Sequence, residues 1–351
     1  MKAPNMRNRE PHAAPNGRRR FLKAMAAGVL GTGTMSITDG ISAVGAASAW
    51  TGIETNSDFN SQSRASFVVP AGACDCHVHI FGDPEQFPFS SARVYTPDIA
   101  PPDELAALHK ALGIQRVVIV TPSVYGTDNS ATLFGMQARG NDARGVAVID
   151  DKTPERDLDA MDAAGIRGIR LNLATAGITN PAVGRERFQS GVARARRRNW
   201  HVQMNTTPAM IGAIKDLVLD SPVPVVFDHF GGAVASRGPE QPGFRDLLDL
   251  LRSGRAYVKI SGAYRSSTLP DYSDVAPLAR AVIAANVDRV LWGTDWPHPD
   301  SATVPGRKPT DVAPRLKVDD VQVLNQLPAW APDAMVRRKI LVDNPARLYG
   351  F

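Results

Sequence analysis

Two histidines stand two residues apart in the run Cys74-Asp75-Cys76-His77-Val78-His79-Ile80-Phe81. The run reads as a strand, and a strand alternates its side chains. Asp75, His77 and His79 are therefore expected on one face, with Cys74, Cys76, Val78 and Ile80 on the other. Two imidazoles projecting in parallel from one rigid strand can hold a metal ion, or can aim N–H donors at a substrate oxygen. They can equally be core histidines satisfied by their neighbours. Other polar residues close later apolar runs: Ser123 and Tyr125, Arg170 and Asn172, Asn205, Asp228 and His229, the stretch from Lys259 to Arg265, and Asp295 with His298. His109 and His201 fall outside such positions and are expected to be structural.

Those residues need a scaffold that brings many strand ends together. After the first strand comes a long loop, residues 82 to 101, carrying Arg93 and Tyr95; loops of that length usually have a role. Apolar strands are then expected over 116–122, 145–150, 166–173, 200–206, 222–231, 256–264 and 289–297. Helices are expected over 102–113, 129–139, 153–165, 181–199, 208–220, 242–253 and 274–286, with a last one over 332–342. Eight alternations with near-continuous apolar strands are the pattern of parallel strands covered by helices, and predict a single-domain (β/α)8 TIM barrel over residues 71–351. A doubly wound sheet is the alternative, but no Gly-x-Gly-x-x-Gly turn follows the first strand. In a barrel, the active site lies at the C-terminal strand ends, where the polar residues named above fall.

The 351 residues are 43% hydrophobic and 21% charged, enough for a large core. The pI near 9.3 could suggest nucleic acid. However, the first 49 residues hold seven Lys and Arg against Glu10 and Asp39, which accounts for the whole formal charge of +5. The remainder is formally neutral, and no nucleic-acid partner is expected. Arg18-Arg19-Arg20-Phe21-Leu22-Lys23 resembles the twin-arginine export motif. A weakly apolar Gly- and Ala-rich run and the small-residue site Ala47-Ser48-Ala49 follow it. Residues 1–49 are therefore expected to be a signal read by the twin-arginine (Tat) export machinery, and 50–70 an arm or linker, with a periplasmic destination. The run is too polar for a stable membrane anchor. Cys74 and Cys76, the two cysteines of the chain, sit too close along one strand face for an ordinary disulfide and are expected as buried thiols.

The ordered motifs carry a family resemblance. Asp-x-His-x-His in strand one, a histidine in strand six and Gly293-Thr294-Asp295-Trp296-Pro297-His298-Pro299 in strand eight resemble the amidohydrolase superfamily. More narrowly, His77-Val78-His79-Ile80-Phe81-Gly82, Gln86-Phe87-Pro88-Phe89-Ser90, Gly126-Thr127-Asp128-Asn129, Arg167-Gly168-Ile169-Arg170, Phe227-Asp228-His229 and Asn344-Pro345-Ala346-Arg347-Leu348-Tyr349 are similar to 2-pyrone-4,6-dicarboxylate lactonases and their lactone-processing relatives. The resemblance covers about residues 70 to 351.

It implies that Asp295 is the general base, taking a proton from water as the water attacks a lactone carbonyl. It implies too that His77, His79 and His229 surround the carbonyl oxygen where charge develops. Amidohydrolases commonly use the histidine pair and the strand-eight aspartate as metal ligands, whereas pyrone lactonases are thought to work without metal. Strand five ends in Asn205 and strand four offers no bridging lysine or glutamate, so a binuclear centre is not expected. One Zn2+ on His77, His79, His229 and Asp295 has enough ligands to exist. The cofactor expectation is thus none, or one divalent metal.

Arg170, Arg265 and Tyr95 align with substrate-binding positions of those lactonases, and Ser123, Asn172 and His298 join them by position. A guanidinium pairs with carboxylate or sulfonate through two parallel hydrogen bonds. The family's further arginines are replaced here by Ala174-Thr175-Ala176-Gly177 and by Gly232, and its strand-five tyrosine by Asn205. The expected substrate is therefore an anionic small-molecule lactone of aromatic catabolism: the pyrone dicarboxylate, or 4-sulfomuconolactone. A lactone isomerase, a metal-dependent decarboxylase and a non-catalytic periplasmic binder are the other readings. A binder has little use for Asp295 buried beside three inward histidines.

Overall fold

The computed structural model describes residues 64–302 and 304–351. The expected signal and most of the expected arm lie outside the described residues. Eight parallel strands follow one another around a single sheet: β1 (Cys74–Val78), β2 (Arg116–Val120), β3 (Ala143–Ala147), β4 (Ile166–Asn172), β5 (His201–Asn205), β6 (Val225–Phe227), β7 (Ala256–Ser261) and β8 (Val290–Gly293). The sheet returns on itself just beyond β8. Asp295 N–H donates to the His77 carbonyl and His79 N–H to the Trp296 carbonyl, both at 2.9 Å. The architecture is the (β/α)8 barrel that the alternation predicts.

Helices α1 (Pro102–Leu112), α2 (Ser130–Arg139), α3 (Glu155–Ala163), α4 (Pro181–Ala195), α5 (Pro208–Leu219), α6 (Phe244–Arg252) and α7 (Ala276–Asn286) cover the strands. In α6, Phe244, Leu247, Leu248 and Leu251 recur at helical spacing and are buried. Asp246 and Asp249 leave that stripe and accept from Lys215 of α5 at 2.8 and 2.7 Å. Each fully buried leucine of this kind contributes roughly 1.5–3 kcal/mol of burial free energy, which fixes the helix shell. Among the described residues, no helix is long and apolar enough to cross a membrane.

The final helix departs from the expected single span of 332–342. It runs as Ala334–Arg338, a wide turn over Lys339–Asp343, and Asn344–Tyr349. The extension places the ring of Tyr349, fully buried, 5.3 Å from that of His201 and in the cluster formed by Cys74, Cys76, Val118 and Val146. The chain end thus packs into the barrel core, and His201 is structural, as expected. Both cysteines are buried free thiols.

Candidate active site

Strict alternation along β1 fails at one residue. The ladder with β2 shifts register between Asp75 and Val78, and an inserted residue reverses the sense of alternation beyond it. Cys74 and Cys76 pack with Val118 and Val120, while Val78 and Ile80 pack with Val117 and Ile119 in a different cluster. Asp75 leaves the histidine face. It accepts from Thr294 N–H at 3.0 Å and Thr294 Oγ1–H at 2.6 Å, and lies 3.3 Å from His109 Nε2 on α1. Asp75 therefore ties β1 to β8 and to the helix layer, and His109 is structural. His77 and His79 remain together, and Gly293 leaves room for them: a Cβ there would come within 2.8 Å of the His77 backbone nitrogen.

Beyond the strand ends the backbone turns sharply. His229, Asp295 and His298 adopt φ of +49°, +68° and +59°, in the left-handed region that costs a non-glycine residue of order 1–3 kcal/mol. The turns at His229 and Asp295 bring those two side chains to the point that His77 and His79 reach from β1. Nε2 of His77, His79 and His229 lie 3.7, 3.8 and 3.8 Å from Oδ1 of Asp295. That oxygen and His77 Nε2 have no hydrogen-bond partner among the described residues. The other oxygen, Oδ2, accepts from Tyr264 O–H and from Arg265 Nε–H, both at 2.6 Å. Gly262, at φ +61°, lets these groups meet, since a Cβ there would stand 2.9 Å from His229 Nδ1 and 3.3 Å from Asp295 Oδ2.

Charge follows from this packing. Burial alone would raise the Asp295 carboxyl, but Arg265 and the three histidines outweigh it and hold the group well below the usual carboxylate range. Burial pushes His79 down to about 3 and His229 to about 4, so both rings are neutral at pH 7. It likewise takes His77 well below its ordinary value. Asp228 is held low against its burial by His77, Arg170 and Lys259.

Neutral imidazoles carry one proton each, and the partner of Nδ1 decides where it sits. His79 Nδ1 lies 2.7 Å from the Val120 carbonyl oxygen, which only accepts, so its Nε2 is bare. His229 Nδ1 meets Ser261 Oγ at 3.0 Å. His77 Nδ1 is hydrogen-bonded at 3.2 Å to Nζ of Lys259, which also donates to Gln203 Oε1 at 2.7 Å. Burial lowers the pKa of Lys259 against the pull of Asp228; as an ammonium it has no lone pair to offer, and Nδ1 of His77 then accepts while its Nε2 carries the proton. His77, His229 and Asp295 present atoms within 4.8 Å of one another, the spacing a cation needs, with His79 outside that trio. A metal there would have to displace the proton that a hydrogen bond from Lys259 leaves on His77 Nε2. That arrangement disfavours a metal without altering the donor set itself.

The expected substrate-binding residues divide into three groups. Arg170 and Arg265 reach the site, each with its Nε spent inside the protein: Arg170 Nε donates to Asp228 Oδ2 at 3.0 Å, as Arg265 Nε does to Asp295. Ser123, Asn172 and Arg170 line a chamber of about 360 Å³, and Asn172 Oδ1 has no partner among the described residues. Arg265 and His229 line a neighbouring recess of about 130 Å³. Tyr95 is buried, its phenol pushed up to about 12 by desolvation against the pull of Arg265 and Arg170. His298 stands one layer back. Its Nε2 lies 3.0 Å from Asp320 Oδ1, and its ring packs edge-on against Tyr264 at 5.3 Å.

Tyr264, Gln203 and Lys259 carry parts that the sequence reading did not assign. A lysine amid the apolar strand Ala256-Tyr257-Val258-Lys259-Ile260-Ser261 is itself a signal, since a buried ammonium persists only with partners.

Comparison with known proteins adds to this geometry. Residues 74–351 match the amidohydrolase family profile. The chain is 35% identical over 291 residues to a 4-sulfomuconolactone hydrolase of Rhizobium radiobacter, covering 81% of this chain and 92% of that one. It is 34% identical over 301 residues to a 2-pyrone-4,6-dicarboxylate hydrolase of Comamonas testosteroni, covering 83% and 94%. The crystal structure of a probable 2-pyrone-4,6-dicarboxylic acid hydrolase from Acinetobacter baumannii, with citric acid bound, superposes with a TM-score of 0.67 at 26% identity, covering 80% of this chain and all of that one.

Proposed function

The chain belongs to the amidohydrolase family, and on that premise we propose that it is a lactone hydrolase that opens an anionic lactone with a water activated by Asp295. The observation that carries this reading is the division of labour on one carboxylate. Oδ2 is fixed by Tyr264 and Arg265, while Oδ1 faces three imidazoles with no donor of its own among the described residues. Relatives named as lactone hydrolases, matched over nine-tenths of their length, support the same chemistry.

In this mechanism Asp295 Oδ1 takes a proton from water as the water oxygen bonds to the lactone carbonyl carbon. His77 Nε2–H donates to the oxyanion that forms, and bare His79 Nε2 accepts the second hydrogen of the water. Collapse of the tetrahedral adduct breaks the ring C–O bond, and the proton held by Asp295 passes to the departing oxygen. A carboxylate held so low is ionised at neutral pH but pulls weakly on water. Stabilisation of the oxyanion therefore supplies much of the rate. The outer Nη edges of Arg170 and Arg265 pair with carboxylate or sulfonate on the substrate, and 4-sulfomuconolactone and 2-pyrone-4,6-dicarboxylate are the lactones to try first.

NMR of each lactone with the full chain in deuterated buffer tests the proposal. A ring-opened acid is expected. A new lactone would make the protein an isomerase, carbon dioxide a decarboxylase, and saturable binding without turnover a solute binder.

The proposal extends to location. The twin-arginine motif and the small-residue site at Ala47-Ser48-Ala49 support export and removal of residues 1–49. Replacing Arg18 and Arg19 by lysine should leave the protein in the cytoplasm; an undiminished periplasmic level would refute the assignment.

A further inference from the structure

We infer that Lys259 decides which nitrogen of His77 faces the reaction centre, and that it thereby keeps a potential metal cage working as a metal-free oxyanion site. The catalytic consequence rests on the lactonase reading above; the tautomer and the metal affinity do not.

Lys259 is fully buried in the middle of β7 and lines neither cavity at the site. It therefore acts through its neighbours, as a positioning residue. Those are Gln203 Oε1 at 2.7 Å, His77 Nδ1 at 3.2 Å and Asp228 Oδ1 at 3.7 Å. Two groups compete for His77 Nδ1, and they select opposite tautomers. Lys259 only donates, which leaves the ring proton on Nε2. Asp228 only accepts, and its Oδ1, 3.1 Å from Nδ1, would draw the proton to Nδ1 and leave Nε2 bare. A carboxylate accepting the far N–H is the usual support of a metal-binding histidine. Asp228 is placed for that task, yet Oδ1 has no hydrogen-bond partner among the described residues. The hydrogen bond at Nδ1 belongs to the lysine.

Removal of Lys259 leaves Asp228 as the sole partner of Nδ1. The ring proton then moves to Nδ1, and His77 Nε2 turns a lone pair toward His229 and Asp295, already within cation-binding distance of one another. Two imidazoles and a carboxylate, with His79 adjacent, form a donor set suited to Zn2+. One side chain behind the site thus separates two chemistries that share the same residues facing it.

The full chain with 15N-labelled histidine tests this directly. Long-range 1H–15N spectra of the wild type should show His77 protonated at Nε2, assigned by comparison with Lys259→Met, in which the same ring should be protonated at Nδ1. Cobalt absorbance and equilibrium dialysis with Zn2+ form the second arm. Lys259→Met should bind one metal ion at least about tenfold more tightly than the wild type. Lys259→Arg, which keeps a donor, should behave as the wild type does in both measurements. Equal metal affinity of wild type and Lys259→Met, or a wild-type His77 protonated at Nδ1, overturns the inference. If Lys259→Met does not fold, the wild-type spectrum decides, with the His77 signal assigned as the one missing from His77→Gln. Because neither arm reads turnover, failure to open any lactone would refute the proposed function while leaving this inference standing or falling by itself.

Discussion

The backbone N–H of Asp295 donates to the carbonyl of His77 at 2.9 Å, while Nε2 of that histidine stands 3.7 Å from Oδ1 of the aspartate. The contact that brings the end of β8 back to β1 also sets the spacing of the proposed base and the proposed oxyanion donor. Closure of the barrel and geometry of the site share one contact.

Asp295→Asn should abolish turnover and leave ligand binding within a few-fold. The amide keeps the shape but cannot accept the proton of water, a loss typically of ~10²-fold or more. Steady-state kinetics alongside calorimetric binding checks this, and a variant retaining a tenth of the wild-type rate would remove Asp295 from the role of base.

Tyr264→Phe should move the acidic limb of the rate profile to higher pH. Its hydroxyl donates to the ionised form of Asp295 at 2.6 Å, and losing a hydrogen bond to the charged form raises the pKa of a carboxyl. An unmoved acidic limb would show that Asp295 does not control it.

Arg265→Met should depress turnover of neutral and anionic lactones alike, because Nε supports Asp295 whatever the substrate carries. An anionic lactone should lose more, through the outer edge of the guanidinium. A charge-assisted pair contributes roughly 1.5–3 kcal/mol, so the extra drop in kcat/KM should be about 10- to 200-fold. Equal losses for both classes would take the substrate anion away from Arg265.

Stability should fall as the solution is acidified from pH 7 toward pH 4. His79 and His201 are held near 3 and His229 near 4 by burial, against 6.5 when exposed. Between those values the unfolded chain binds more protons, so stability rises with pH through this window, is fully present above about 6.5 and is lost on acidification. Thermal unfolding from pH 4 to 8 measures it; a flat Tm across that range would mean that the buried rings are not neutral.

Much of this protein was determined by local sequence. The alternation of apolar strands with amphipathic helices specifies a barrel, because β-strand and helix periodicities each bury one defined face. The position of His77, His79, His229 and Asp295 at strand ends then assigns them to one rim. Tertiary structure decided the rest. Asp75 follows the same alternation as the two histidines, but the register shift in β1 turns it toward Thr294 and His109. No pattern within eight residues encodes that, since it depends on pairing with β2. The same holds for Arg265, whose Nε is committed to Asp295, and for Lys259, whose hydrogen bond to His77 joins positions 182 residues apart. Hydrogen-bond direction depends on which acceptor or donor arrives in space. Residue types alone therefore left open whether this cage holds a metal or a proton, because that depends on the neighbour behind His77.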